Sequence, residues 1–457
     1  MFEDSPFLNQ MEDNMKRLTL FLLIQCLLLF ILKIPFVKAV DNVPMDSQEM
    51  FYLSELLREA TERNPEIIAA KEKWQSAQDI IGARGALPDP QLSFQQYVES
   101  VETRVGPIKR AYGLKQKLPF YGKRGLMSEI ATKEAEALEA SYETVRQEVV
   151  RRVKITYYDL FYLSKLIDIT DEEKEILKRF EQTATIKYET GKGSQQNILK
   201  VQVEMNRLED RRLTLLNRKK TSEARLNALL DRTSDHPVKK PVQPEFREFF
   251  YIKQQLIRLA RDNRPELKMG DAWIEKSDRA LILAKKDYYP DLTIGANYIE
   301  IDKGPLMFSD NGQDAFNVVF SINVPLWSNK LSSQVGSATK MVTAQKSVYK
   351  SILNRTLFEI EDNLFKIETA RETSNLYQNV LIPRAEQSLK SAEVGYITGV
   401  VNFLDLLDAE RVLLKIQFDY WKSYTDYVKG IADMERAVGI ELPKYLPTEV
   451  PPEVREE

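Results

Sequence analysis

Two aspartates three residues apart, Asp405 and Asp408, stand in the stretch AEVGYITGVVNFLDLLDAER at 392–411. Carboxylates at that spacing share one face of a helix. Such a pair can draw cations, or it can be a solvated acidic helix start favoured by the positive end of the helix dipole. Catalysis would need partners that the chain does not supply. It has no Gly-rich phosphate loop, and its single histidine, His236, sits in the Pro-bounded loop DHPVKKP. Its single cysteine, Cys26, lies in a leader-like segment, so neither a zinc cluster nor a thiol nucleophile is available after processing. Other carboxylate pairs, such as Glu172-Glu173, read as solvated helix faces in a chain that is 29% charged. No enzyme, cofactor or resident metal is expected. With a net charge of only −3, there is no bulk electrostatic case for nucleic acid either.

The motif ahead of the aspartates occurs twice. Tyr396-x-x-Gly399 repeats Tyr188-x-x-Gly191 of IKYETGKGSQQNILKVQVEM, and Asn197 stands where the second copy has Asp405. Further pairs keep the same order: Asn64-Pro65-Glu66 with Arg264-Pro265-Glu266, Pro88-Asp89 with Pro290-Asp291, and Leu118-Pro119-Phe120 with Val324-Pro325-Leu326. Their spacing grows slowly along the chain, as expected for two duplicated halves with small insertions. The expected organisation is a signal peptide over 1–39, a first repeat over 40–238, a second over 239–440 and a flexible tail over 441–457. Lys16 and Arg17, the apolar run 18–32 and Val37-Lys38-Ala39 make the secretory leader. The acidic residues before Met15 point to translation starting there. Cys26 lies inside the apolar run, which is a poor lipidation site.

The elements that position these residues are long helices and short strands. Residues 126–190 contain neither Gly nor Pro. Apolar residues recur from Ala131 to Ile167 with the period of an α-helix, and a helix of that length would reach about 100 Å. A second long helix is expected from Ser332 toward Val394, with a kink or stutter at Pro383. Each would end at its Tyr-x-x-Gly, with Gly191 and Gly399 in the left-handed region. Each would return as a second helix, 194–230 and 402–437, capped by Ser194 and Asn402.

Between the first helices and each long helix lie segments of period two. Leu92, Phe94, Gln96 and Val98 alternate with polar neighbours, as do Ile108, Arg110, Tyr112, Leu114 and Gln116. The second half does the same at Leu292–Tyr298 and at Phe316–Val324. Tyr97, Tyr112, Tyr298, Phe308 and Phe316 suit interface belts. Four strands leave two open edges, which an apolar face in lipid forbids. A transmembrane barrel needs at least about eight strands, so several copies must share one, and three would supply twelve. The competing reading is a secreted helical-hairpin scaffold or adaptor without a pore, its sheet packed on soluble helices.

The ordered set of duplication, ALPDPQLSF, KLPFYGKR, NVPLWSNK, YETG and YITGVVNFLDLLDAE resembles the TolC-like outer membrane efflux proteins, from about Leu53 to Leu442. The ALPDP and LP-aromatic-x-GK wording is most like the heavy-metal branch. The resemblance implies a mainly α chain with a small β part. Its very long α-hairpins would form a periplasmic tunnel, and four transmembrane strands per chain would enter a 12-stranded barrel shared by a homotrimer. It implies a passive exit duct in the outer membrane of a Gram-negative-type envelope, for tripartite efflux or type I secretion. Partners would be outer membrane lipid, a periplasmic adaptor and an inner-membrane pump. On matching residues it implies that Pro119 and Pro325 turn the chain from barrel into tunnel, each as a proline at a helix start, where it loses no needed hydrogen bond. Gly191 and Gly399 would mark the periplasmic entrance, and Asp405 and Asp408 would narrow it as stacked carboxylate rings. The sequence departs from the family at Asn197, where some relatives carry Asp, and at Val401, where some carry Arg. A bond between Tyr396 and Asn197, and tip contacts by Tyr188, would have to serve instead.

Overall fold

The sharpest boundaries in the chain are set by prolines, glycines and short polar caps. The structure, a computed structural model, describes residues 50–305 and 309–443. The leader with Cys26 and the two candidate start sites, Phe308, and the tail from residue 444 onward lie outside these residues.

Helix α1 (Leu53–Arg63) leads into α2 (Pro65–Gly85). Asn64 caps α2 by accepting from the backbone N–H groups of Glu66 (2.9 Å) and Ile67 (3.3 Å), and Pro65 takes the first helical position, where no N–H is needed. Strands β1 (Gln91–Gln96) and β2 (Gly106–Leu118) follow, with Glu102–Thr103 adding a two-residue pairing to β2. Next comes α3, 67 residues from Lys123 to Glu189 and so about 100 Å long. It turns into α4 (Gln195–Leu229).

The same order recurs. Helices α5 (Lys253–Asn263) and α6 (Pro265–Lys286) precede β3 (Leu292–Ile301) and β4 (Ala315–Ile322). Then α7 (Ser328–Leu376) passes through one π-helical turn (Tyr377–Leu381) into α8 (Ile382–Thr398), and α9 (Phe403–Val438) returns. The irregularity expected at Pro383 therefore sits just upstream, as this π turn. Pro383 has no N–H for the Asn379 carbonyl four residues back, and the π turn containing Asn379 absorbs that loss.

Two turns differ from expectation. Pro119 and Pro325 do lie between strand and helix, but neither starts a helix. The first long helix begins at Lys123, after Gly122 in the left-handed conformation (φ 81°), and the second begins at Ser328 after Trp327. Tyr97 falls beyond the end of β1 and does not join the aromatic row described below.

Helices α2 and α6 pack along the strand-proximal half of α3, and α6 also packs on α7. Further along, α4 lines α3, and α9 packs on α3, α7 and α8. The core divides accordingly. One cluster joins Phe161 of α3 to Tyr427, Ile431 and Met434 of α9 and Ile360 and Ile367 of α7. Another, near the hairpin tips, joins Leu177 and Phe180 to Val201, Leu389, Phe403, Leu406 and Leu407.

Candidate functional site

The four long strands form one antiparallel sheet in the order β1-β2-β3-β4. Its register stacks the even-numbered residues into rows on one face. One row is Phe94, Tyr112, Tyr298 and Phe316, with ring centroids 5.4 Å apart for the first pair and 6.4 Å for the second. Toward the helices come Leu92, Leu114, Ala296 and Val318, then Gln116, Ile294 and Phe320, then Leu118, Leu292 and Ile322. On the far side of the aromatic row stands a charged one, in which Arg110 donates to Gln96 (3.1 Å) and pairs with Glu300 (3.6 Å). Rows two residues apart lie about 7 Å apart along a strand, so the four apolar rows span about 20 Å.

Among the described residues no helix covers that face. Leu92 is 82% and Phe316 69% exposed. The opposite face is more polar, with Ser93, Gln95, Lys115, Thr293 and Ser321, and Asn297 donating to Asn317 (2.9 Å), beside the apolar Ala111, Ile299, Ala315 and Val319. At the helical rim a second aromatic group gathers. Tyr121 and Trp327 are 89% and 75% exposed, and Phe120 stacks on Tyr289 at 4.7 Å.

The turns at that rim are held by Asp291, which the sequence reading missed as a structural centre. Its carboxylate accepts from the Phe120 N–H (3.0 Å) and the buried Lys123 ammonium (2.9 Å), and pairs with Lys117 (3.1 Å). Burial alone would raise its pKa; these donors outweigh that and hold it down at about 2.

At the other end of the helices lie the two hairpin tips. Each ends in the same hydrogen-bond pair. Lys192 N–H donates to Lys187 O (2.7 Å) and Gly191 N–H to Tyr188 O (3.0 Å); Val400 N–H donates to Gly395 O (2.8 Å) and Gly399 N–H to Tyr396 O (3.2 Å). Gly191 (φ 71°) and Gly399 (φ 86°) supply the positive φ this closure requires. Ser194 caps α4 by accepting from Gln196 N–H (3.2 Å), and Asn402 caps α9 by accepting from Asp405 N–H (3.0 Å). Asp405 and Asp408 are both exposed on the first turns of α9.

The two tyrosines differ. Tyr188 is 47% exposed, whereas Tyr396 is 5% exposed against Phe403, with centroids 5.1 Å apart. The tie between the tips comes from Lys187, whose ammonium donates to the Tyr396 carbonyl and lies 4.5 Å over the Tyr396 ring. The Tyr396 hydroxyl is buried without a hydrogen bond of ordinary geometry. Burial pushes its pKa up, and neighbouring Asn197 partly offsets that. Val401 packs against Gly395, where an added Cβ would meet the valine methyl at 2.5 Å. A second tie joins α4 to α9, where Arg411 pairs with Glu204, itself 2.9 Å from Arg207.

One reading is corrected here. Glu173 does not lie on a solvated face: it is 3% exposed and meets Glu410 of α9, 2% exposed. Among the described residues no group of three or more His, Cys, Asp or Glu side chains could hold a metal ion, and no helix is long and apolar enough to cross a membrane.

An amphipathic sheet rimmed by aromatics, continued by α-hairpins of about 100 Å, defines a class of protein: a β-sheet membrane channel with a helical extension. Known proteins share the arrangement. The family model described as outer membrane efflux protein matches residues 56–232 and 256–439, and the chain belongs to that family. It is 21% identical to the cobalt-zinc-cadmium resistance protein CzcC of Cupriavidus metallidurans, over 81% of this chain and 85% of that one. It is 22% identical to the probable outer membrane lipoprotein SilC of Salmonella typhimurium, over 80% of each. Among solved structures, the outer membrane protein VceC of Vibrio cholerae superposes with a TM-score of 0.72 at 19% identity, covering 85% of this chain and 96% of that one. The protein is an outer membrane efflux channel that extends into the periplasm, and its family is one of channels rather than enzymes.

Proposed function

We propose that three copies close a twelve-stranded barrel and that their α-hairpins continue it as a periplasmic tunnel. One observation carries this reading: an apolar sheet face, bounded by aromatics, whose edge strands β1 and β4 are each paired on one side only among the described residues. Open edges in lipid leave backbone groups unsatisfied, so other copies must pair with them. The apolar side chains Met341, Val348, Phe358 and Phe365, exposed along α7 in one chain, support a neighbouring copy there too. The two halves, 40–238 and 239–440, would alternate around the axis as six repeats. Pro119 and Pro325 would lie where barrel becomes tunnel.

In this assembly the tips carrying Gly191 and Gly399 form the entrance, and Asp405 and Asp408 ring it with carboxylates that favour cations. Tyr188, Asn197 and Tyr396 lie at the tip contacts. An adaptor and an inner-membrane pump would supply energy and selection, spreading the tips against the ties made by Lys187 and Arg411. The likeness to a cobalt-zinc-cadmium resistance protein, together with the acidic entrance, favours heavy-metal cations as cargo. The deciding experiment is the mass of the detergent-extracted particle after subtraction of detergent and lipid. Three copies are expected. A monomer that stays in solution without detergent overturns the barrel and leaves a pore-less scaffold.

A further inference from the structure

We propose that Glu173 and Glu410 form a shared-proton clasp between α3 and α9 that must release its proton when the helical tips spread. The proposal rests on the channel reading but uses residues outside the entrance ring. The two carboxyls face each other across a helix interface. Each is more than nine-tenths buried, among Ile169 and Leu177 of α3 and Leu406, Leu407, Leu413 and Leu414 of α9. Two ionised carboxylates cannot coexist in such a place, whereas a carboxylic acid bonded to a carboxylate can.

The surroundings do not neutralise the pair. From α3 come Glu172 and Arg179, and from α9 come Asp408, Arg411 and Lys415. From α4 come Glu204, Arg207 and Arg211. Arg411 and Arg207 are already engaged by Glu204. Helix α8 contributes apolar Ala385 and Leu389 to the same core. Burial, and then the Glu173 carboxyl, push Glu410 up to about 10, and burial also raises Glu173.

The sign follows from linkage. The closed state binds a proton that the spread state, with its carboxylates wetted near their ordinary value of about 4.5, gives up to water. The clasp is therefore at full strength below the spread-state value and is lost as pH rises toward about 10. Between those limits the ratio of spread to closed tips rises by up to about tenfold per pH unit.

The test uses the full chain in lipid bilayers, with Cys26→Ser and spin labels on the exposed positions Gln182→Cys and Leu404→Cys. The wide-distance population should grow steeply between about pH 6 and 9. In Glu410→Gln, and independently in Glu173→Gln, the shared proton is gone and only burial still raises the carboxyl that remains, so the population should grow over a lower and narrower pH range. An infrared carbonyl band of a protonated carboxyl should persist at about pH 8 in the parent and vanish in Glu410→Gln. A parent population insensitive to pH, or an unchanged pH range in both variants, overturns the clasp. Ion current measured on the same bilayers separates the two readings. Widening that tracks pH without any current would sink the channel reading and leave the clasp standing.

Discussion

Replacing Leu114 by Arg tests which face of the sheet meets lipid. Leu114 lies in the row with Leu92, Ala296 and Val318, one row inside the aromatic row and two rows from Leu118. It sits near the middle of an apolar band about 20 Å tall. Arginine at the lipid-facing midplane of a barrel costs about 2–4 kcal/mol. In a trimer three such costs add, to about 6–12 kcal/mol per assembled particle. The control is Ser93→Arg. Ser93 pairs with Gly113 in the row adjoining that of Leu114, but its odd position places it on the polar face, where the added charge meets water. The assay is urea denaturation of the refolded protein in bilayers, read by loss of the sheet signal and of the trimer band. The Leu114→Arg midpoint should fall sharply while the Ser93→Arg midpoint hardly moves. Equal shifts, or a larger shift for Ser93→Arg, would refute the assignment of the faces and the membrane reading of the sheet.

Three further changes probe the ends of the helices. Asp291→Asn keeps an acceptor for Phe120 but removes the charge facing Lys117 and Lys123, and should cost about 2 kcal/mol at pH 7, read from the unfolding midpoint. Because the Asp291 pKa is held down, its contribution is present above about 4 and lost as pH falls toward about 2; the variant should show a flatter acid limb over that window. Lys187→Met removes a charged hydrogen bond and a cation–π contact, together about 2 kcal/mol, and should raise resting conductance about 30-fold; unchanged conductance would free the tips from that tie. Asp405→Asn with Asp408→Asn should lower the cation-over-anion permeability ratio several-fold, as measured by reversal potential; an unaltered ratio would return the pair to the role of a solvated helix start.

Much of the fold could be read from the sequence because its signals are local. Strand faces follow a period of two, and the register preserved that alternation in Leu92, Tyr112, Tyr298 and Phe316. The tips were legible because only a glycine readily takes the left-handed turn at 191 and 399. The misses depend on contacts distant in sequence. Glu173 looked solvated because nothing near it announces Glu410, and a charged residue is a poor first guess for a buried position. Lys187 gave no signal because its partner is a backbone carbonyl, which every residue carries. Pro119 suggested a helix start, yet β2 runs to Leu118 and the turn is completed three residues later by Gly122.

The two tips explain each other's departures. In each, the returning chain folds back onto the end of the helix, so that residue 193 meets residue 187 and residue 401 meets residue 395. One member of each contact is glycine, but not the same member: Lys187 with Gly193, and Gly395 with Val401. The exchange frees position 187 for a long cation and makes position 401 an apolar plug. Lysine from the first tip then reaches the second, covers Tyr396 and leaves Tyr188 in solvent. Only the second tip continues into Asp405 and Asp408. Six tips around the proposed axis would therefore not be six equal parts of a gate. Three would present carboxylates to the passage, and three would hold them in place through Lys187.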